Sequence, residues 1–187
     1  MTVSTISVVI PTYNRSSYVA RLLDALSHDG VAAIASEVIV VDDGSTDDTE
    51  DRVRSSSLRT TYIRQDGAGP AAARNTGWRA SSASIIAFLD DDCVPRPGWL
   101  TDLVEAFADP SVGGVGGTIE PLVDGFIADF ITADGLVDHG RPVAGSVDDA
   151  PTYLVTANAA FRRDALVAAD GFEERYRLDR PGRTGRI

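Results

Sequence analysis

The chain has 187 residues, enough for one domain with a substantial core, and its 43% hydrophobic and 24% charged residues are ordinary for a globular protein. Seventeen Lys and Arg against 28 Asp and Glu give a formal charge of −11, which argues against nucleic acid and anionic membrane surfaces as partners. The single cysteine, Cys93, excludes an internal disulfide, and no apolar run approaches the length of a transmembrane segment. With no basic region leading into an apolar core at the amino terminus, the expectation is a cytoplasmic protein, at most peripheral to the inner face of the membrane.

Thr5-Ile6-Ser7-Val8-Val9-Ile10-Pro11 reads as a buried strand stopped by proline, and Thr12-Tyr13-Asn14-Arg15 as a strand-to-helix loop. Val19, Leu22, Leu23 and Leu26 then form the apolar face of a helix. Glu37 to Asp43 is a second strand ending in acid, after which Gly44 allows a tight turn and Ser45 or Thr46 is expected to cap a helix. Thr60 to Arg64 is a shorter, edge-like strand. Pro70 suits the first position of an alanine-rich helix running from Ala71 to Ala80. Ile85 to Leu89 is a third buried strand, and Pro97 is expected to start a helix carrying Leu100, Leu103, Val104 and Phe107. Val112 to Ile119 reads as extended. Four strand-then-helix units predict an α/β fold: a Rossmann-like doubly wound, mostly parallel sheet with helices on both faces. After residue 120 the rhythm breaks. A weak helical hint lies at Phe126 to Ile131, a strand is expected over Tyr153 to Ala157, and a helix over Phe161 to Ala169.

Three strand ends carry unusual residues: Thr12-Tyr13-Asn14, Asp42-Asp43-Gly44 and Asp90-Asp91-Asp92. In a doubly wound sheet all three project from one edge and can line one crevice. Adjacent carboxylates repel, and no Lys or Arg lies within the Asp90–Asp92 cluster, so a divalent cation is the expected neutraliser. Hard oxygen donors favour magnesium, manganese or calcium over zinc. An aromatic ring, an acid pair and a metal-type cluster suit a nucleotide diphosphate. The plain alternatives are a solvated acidic turn, loop packing for Tyr13 and helix capping for Asp42 and Asp43. Negative neighbours should raise the Cys93 thiol pKa and argue against a catalytic thiolate.

Gly67-Ala68-Gly69-Pro70-Ala71-Ala72 matches the dinucleotide fingerprint and offers a rival, a nicotinamide or flavin oxidoreductase with Asp90 on the ribose. Against it, the preceding strand is short and polar, and Pro70 removes an N–H that a pyrophosphate needs. No Walker-type or G-x-S-x-G motif is present, and the lysine-bearing signature of nucleotidyltransferases is absent.

Ser7 to Arg15, Val40 to Asp47, Ala73-Arg74-Asn75-Thr76-Gly77 and Phe88 to Asp92 resemble, in order and spacing, the family 2 glycosyltransferases. Asn158 to Arg163 and Gly171 to Tyr176 resemble the same family's acceptor-side segment. The resemblance implies a GT-A fold in a single domain over 1–187, with a donor-binding half at 1–120 and an incomplete acceptor-side half at 121–187. It implies a nucleotide-diphosphate sugar donor, Mn2+ or Mg2+, inversion at the anomeric carbon, and a saccharide, lipid or other hydroxyl acceptor. Carried over, Thr12 and Tyr13 contact the nucleoside, Asp43 the base, and Arg74 the nucleotide or diphosphate. Asp92 is the direct metal ligand, with Asp90 on the ribose or a metal-bound water. Pro11, Asp42 and Asp91 complete the donor-binding set. The family's usual general base, an acidic pair after the Gly-Phe segment, is not matched before Ile187, and Glu173, Glu174 and Asp179 are the nearest acids. The expectation is therefore a truncated transferase domain, with a catalytically silent nucleotide-sugar-binding module as the alternative. A homodimer is also expected, from apolar surface left by missing distal helices.

Overall fold

The computed structural model describes residues 5–120 and 154–174. Six strands form one sheet in the order β3-β2-β1-β4-β6-β5. They are β1 (Ile6–Thr12), β2 (Glu37–Asp42), β3 (Thr61–Arg64), β4 (Ile85–Leu89), β5 (Gly114–Gly116) and β6 (Asn158–Arg162). The first four are parallel, whereas β6 runs antiparallel to both β4 and β5. The sheet is mixed and mostly parallel, as the strand-then-helix rhythm predicts.

Strand side chains alternate between two cores, which is why β1, β2 and β4 are continuous apolar runs. Val8 and Ile10 of β1, Val38 and Val40 of β2 and Ile85 and Leu89 of β4 face one core. The same core takes in α1 (Ser16–His28), through Val19, Leu22, Leu23 and Leu26, and α5 (Trp99–Glu105), through Trp99, Leu100 and Leu103. The short helices α2 (Val31–Ile34) and α3 (Thr49–Arg54) add Val31 and Val53. Val9, Ile39, Val41, Ile86 and Phe88 face the opposite core, which takes in α4 (Pro70–Ala80) and α6 (Arg163–Ala168). Edge-to-face contacts of Phe88 with Phe161 and Phe172 close that core.

Gly77 lets α4 lie against the sheet: a Cβ there would overlap Val9 Cγ1 and press on Val41. Gly77→Ala should therefore destabilise the fold by about 1–3 kcal/mol despite alanine's better helix propensity, as read by chemical denaturation. Equal or greater stability would contradict this packing.

Several expected boundaries move. The expected cap at Ser45 or Thr46 is wrong, because α3 begins at Thr49 with Asp48 at its N-cap position. Ser45 and Thr46 instead pair with Asn14 across the crevice loops. The α5 helix starts at Trp99, two residues beyond Pro97, because Gly98 turns the chain with a φ of 81°. Only Gly114–Gly116 of the expected 112–119 stretch is a strand. Residues 154–157 are not a strand, and the expected helix at 161 gives up Phe161 and Arg162 to β6. The physical reason is tertiary: β6 pairs on both sides, with β4 and with β5. The helical hint at 126–131, Tyr153, the arginine-rich tail and Asp179 lie outside the described residues.

Candidate functional site

The chain runs from β1 outward through β2 to β3 and then returns to β4 on the other side of β1. The strand order reverses there, and open α/β sheets bind ligands at the carboxyl ends of strands at such a switch point. Thr12, the last residue of β1, is the hub of this edge. Its carbonyl accepts from the Asp43 N–H at 2.9 Å, and its hydroxyl donates to Asp91 Oδ2 at 2.7 Å. Buried Pro11 precedes it, while Tyr13, 37% exposed, follows on the open side.

The two members of the acid pair do different things. Asp42 is fully buried and accepts from Tyr62 Oη at 2.5 Å, Ser45 N at 2.7 Å and Arg64 Nη1 at 3.2 Å. It ties the β2 exit to the β3 edge. Asp43, also buried, accepts from Gln65 Nε2 at 2.7 Å, Ala68 N at 2.6 Å and Gly69 N at 2.9 Å. Gln65 is in turn held by Thr76 of α4. The loop that matches the dinucleotide fingerprint thus spends its amides on Asp43, and Pro70 at the start of α4 has none to offer. The dinucleotide reading fails on this geometry.

Burial pushes the Tyr62 phenol up to about 12, and its hydrogen bond to Asp42 adds to the shift. The folded chain therefore keeps a proton that the unfolded chain releases near pH ~10. Tyr62 thus contributes stability that is fully present below pH ~10 and is lost as pH rises toward ~12. Denaturation at pH 9 and pH 11 should show this loss in the wild type and a smaller one in Tyr62→Phe. Equal losses would contradict it.

At the end of β4 the three aspartates diverge. Asp90 accepts from Arg74 Nη2 at 2.6 Å. Asp91 turns inward to Thr12 and to Arg15 Nη1 at 3.1 Å, and burial raises its carboxyl pKa against those two bonds. Asp92 stays 46% exposed and accepts from the same Arg15 Nη1 at 2.7 Å. Beside the divalent cation expected as neutraliser, Arg15 and Arg74, outside the cluster in sequence, supply positive charge from within the chain. Burial first, then the charges of Asp90 and Asp92, push the Cys93 thiol up to about 12, in keeping with an inert cysteine.

Sequence reasoning gave Arg15 no role, although it closes the Thr12-Tyr13-Asn14-Arg15 loop. It also missed Asn75, a buried amide on α4. Asn75 Nδ2 donates to the Phe172 carbonyl and to Glu174 Oε1, while Oδ1 accepts from Trp78 Nε1 and Phe172 N. Its signals were its place in the Ala73-Arg74-Asn75-Thr76-Gly77 segment and its position three residues before Trp78 on the helix. Of the candidate bases, Glu174 is thereby tied to α4, and Glu173 is exposed beside it.

A divalent metal can be tested against these donors. Among the described residues no group of three or more His, Cys, Asp and Glu is arranged to hold an ion. Asp92 is nonetheless exposed, and Asp90 lies two residues away and is 32% exposed, so both offer hard oxygen donors at the crevice. Two such carboxylates fit a metal whose remaining ligands come from phosphate and water, the usual arrangement for ions bound with nucleotides.

An α/β sheet with these loops at its switch point is that of the GT-A glycosyltransferases, and comparison with solved structures agrees. The mannosyltransferase PcManGT from Pyrobaculum calidifontis, solved with GDP-Man and Mn2+, superposes with a TM-score of 0.71 at 28% identity, over 92% of this chain and 48% of that one. The Mycobacterium tuberculosis glucosyl-3-phosphoglycerate synthase, solved with UDP, gives a TM-score of 0.59 at 25% identity, over 86% and 57%. A family model described as glycosyl transferase family 2 matches residues 7–166. The chain belongs to glycosyl transferase family 2. A pre-mycofactocin glycosyltransferase of M. tuberculosis is 34% identical over 174 residues, covering 90% of this chain and 36% of that protein. A validoxylamine A glucosyltransferase of Streptomyces hygroscopicus is 44% identical over 110 residues, 57% of this chain and 26% of that protein. The matched part of the chain thus spans 36% and 26% of the length of these two relatives. No helix among the described residues is long and apolar enough to cross a membrane.

Proposed function

We propose that this chain forms the donor-binding part of a metal-dependent, inverting glycosyltransferase. It would move a sugar from a nucleotide-diphosphate sugar to a hydroxyl acceptor. The observation that carries the reading is the junction at Thr12, which joins the Asp43 loop to the Asp90–Asp92 loop at the switch point. Tyr13 offers an exposed ring for the nucleoside beside Thr12, and Asp43 a carboxylate for the base. Arg74 would meet the diphosphate, and its Nε is buried without a hydrogen-bond partner among the described residues, a donor that a bound ligand can satisfy.

Asp92, with Asp90 beside it, would hold Mn2+ or Mg2+. When bound, the metal stabilises negative charge growing on the departing diphosphate. The other groups of the crevice act by orientation. Asp91 is occupied by Thr12 and Arg15 and holds the loop in place. The acceptor's proton must pass to a carboxylate acting as general base. A second reading, a module that binds donor without transferring sugar, is favoured by the commitment of Glu174 to Asn75. Measurable transfer by this chain would eliminate it.

A thermal-shift panel of UDP, GDP and dTDP, each with Mn2+ or with EDTA, tests the donor reading. One nucleotide should stabilise the chain with Mn2+, by about 2.7 kcal/mol at a hundredfold excess over Kd, and far less in EDTA. Equal shifts with and without metal, or a shift with NAD, would overturn it. NMR of a transferred sugar would then read the anomeric configuration.

A further inference from the structure

We propose that Arg15 is a built-in counter-ion that competes with the divalent metal for Asp92, so that metal enters this site together with the nucleotide diphosphate and not before it. The inference rests on the donor reading above and concerns the order in which that site fills. One nitrogen, Arg15 Nη1, bonds Asp91 Oδ1 at 3.1 Å and Asp92 Oδ2 at 2.7 Å. Asp91 is 6% exposed and keeps Thr12 as a second partner, so the Arg15–Asp91 contact belongs to the fold. Asp92 is 46% exposed, and Arg15 is the only partner of its carboxylate among the described residues. The exchangeable bond is therefore the one to Asp92.

Arg15 has somewhere to go when that bond breaks. It sits at the N-cap of α1, half-exposed, with its guanidinium 5.7 Å from the centre of the Tyr18 ring. A cation at that distance from an aromatic face is favourably placed, and although Arg21 shares the ring at 5.4 Å, Arg15 keeps Asp91 and its place beside Tyr18 after releasing Asp92. Arg74 differs. Its side chain is only 12% exposed and fixed on Asp90, and it cannot leave as easily.

The charges set the order. A divalent ion approaching Asp92 alone must displace a guanidinium that remains nearby and repels it. A nucleotide diphosphate brings negative charge and phosphate oxygens, which attract both cations and supply the missing ligands. Arg15 thus opposes the metal alone and tolerates the metal–nucleotide pair.

Mn2+ binding to the full chain, followed by electron paramagnetic resonance of the free ion, tests this without any turnover. Arg15→Gln should raise nucleotide-free Mn2+ affinity about tenfold, a difference of about 1.4 kcal/mol. It should change affinity in the presence of the stabilising nucleoside diphosphate by less than about threefold. Arg15→Lys, which keeps the charge on a more strongly hydrated ammonium at the end of a flexible stem, should fall between wild type and Arg15→Gln. It decides the matter if Arg15→Gln fails to fold. Nucleotide-free affinities within about twofold of wild type in these variants overturn the proposal. Asp92→Ala separates the two readings. If it abolishes saturable Mn2+ binding while the Arg15 variants change nothing, the metal site stands and the competition does not. If it leaves Mn2+ binding intact, the metal reading fails and this inference with it.

Discussion

Asp92→Ala should reduce affinity for the stabilising nucleoside diphosphate in Mn2+ about a hundredfold, to the level seen in EDTA, while leaving the melting temperature of the free chain nearly unchanged. Changing residues that merely support a metal ligand costs 10- to 100-fold in metal affinity, so loss of a ligand itself belongs at or beyond the upper end of that range. The neutral effect on the fold follows from position. Asp92 is half-exposed, and among the described residues its carboxylate bonds only Arg15, which keeps Asp91 as a partner. Asp91→Ala is the informative contrast. It would strip buried partners from Thr12 and Arg15 and lower stability first, with binding falling only as a consequence. Isothermal titration with Mn2+ or EDTA, beside thermal melts of both variants, distinguishes them. Retained metal-dependent binding in Asp92→Ala would remove this residue from the site.

The strands that hold these loops could be read from sequence because burial on both faces leaves only apolar choices. Val8-Val9-Ile10, Val38-Ile39-Val40-Val41 and Ile85 to Leu89 are all buried. Strand β6 could not be read this way. Asn158-Ala159-Ala160-Phe161-Arg162 contains no β-branched residue, and its extended form depends on β4 and β5 flanking it. The charge balance of the aspartate cluster was hidden for a similar reason. Arg15 lies 76 residues before Asp91 and Arg74 lies 16 before Asp90, so nothing local announces either pair. The glycine loop at 67–69 misled in the opposite direction. Its spacing fits a pyrophosphate cradle, yet its amides close on a carboxylate delivered by β2. Motif spacing states what a backbone is able to do, and only the fold decides which anion it meets.

The acid pair at the end of β2 gives the largest expected effect on stability. Asp42→Ala should cost about 2–4 kcal/mol, because it leaves the Tyr62 hydroxyl and the Ser45 N–H without their shared buried acceptor, while exposed Arg64 keeps the Ser45 carbonyl. For a chain of this size the melting temperature should fall by about 10 °C. Tyr62→Phe removes one of the three donors and should cost only a fraction of that amount. Asp43→Ala also releases donors, but these are the half-buried Gln65 and the Ala68 and Gly69 amides at the entry to α4. Under the donor reading the two variants therefore diverge in what they do to ligand. Below its lowered melting temperature, Asp42→Ala should keep the wild-type order of preference among UDP, GDP and dTDP, because that carboxylate is committed to Tyr62, Arg64 and Ser45 at the β3 edge. Asp43→Ala should flatten that order, because the base loses its carboxylate partner. Loss of base preference in Asp42→Ala with a normal melting temperature would reverse the assignment. It would mean that Asp42, not Asp43, meets the base when donor binds.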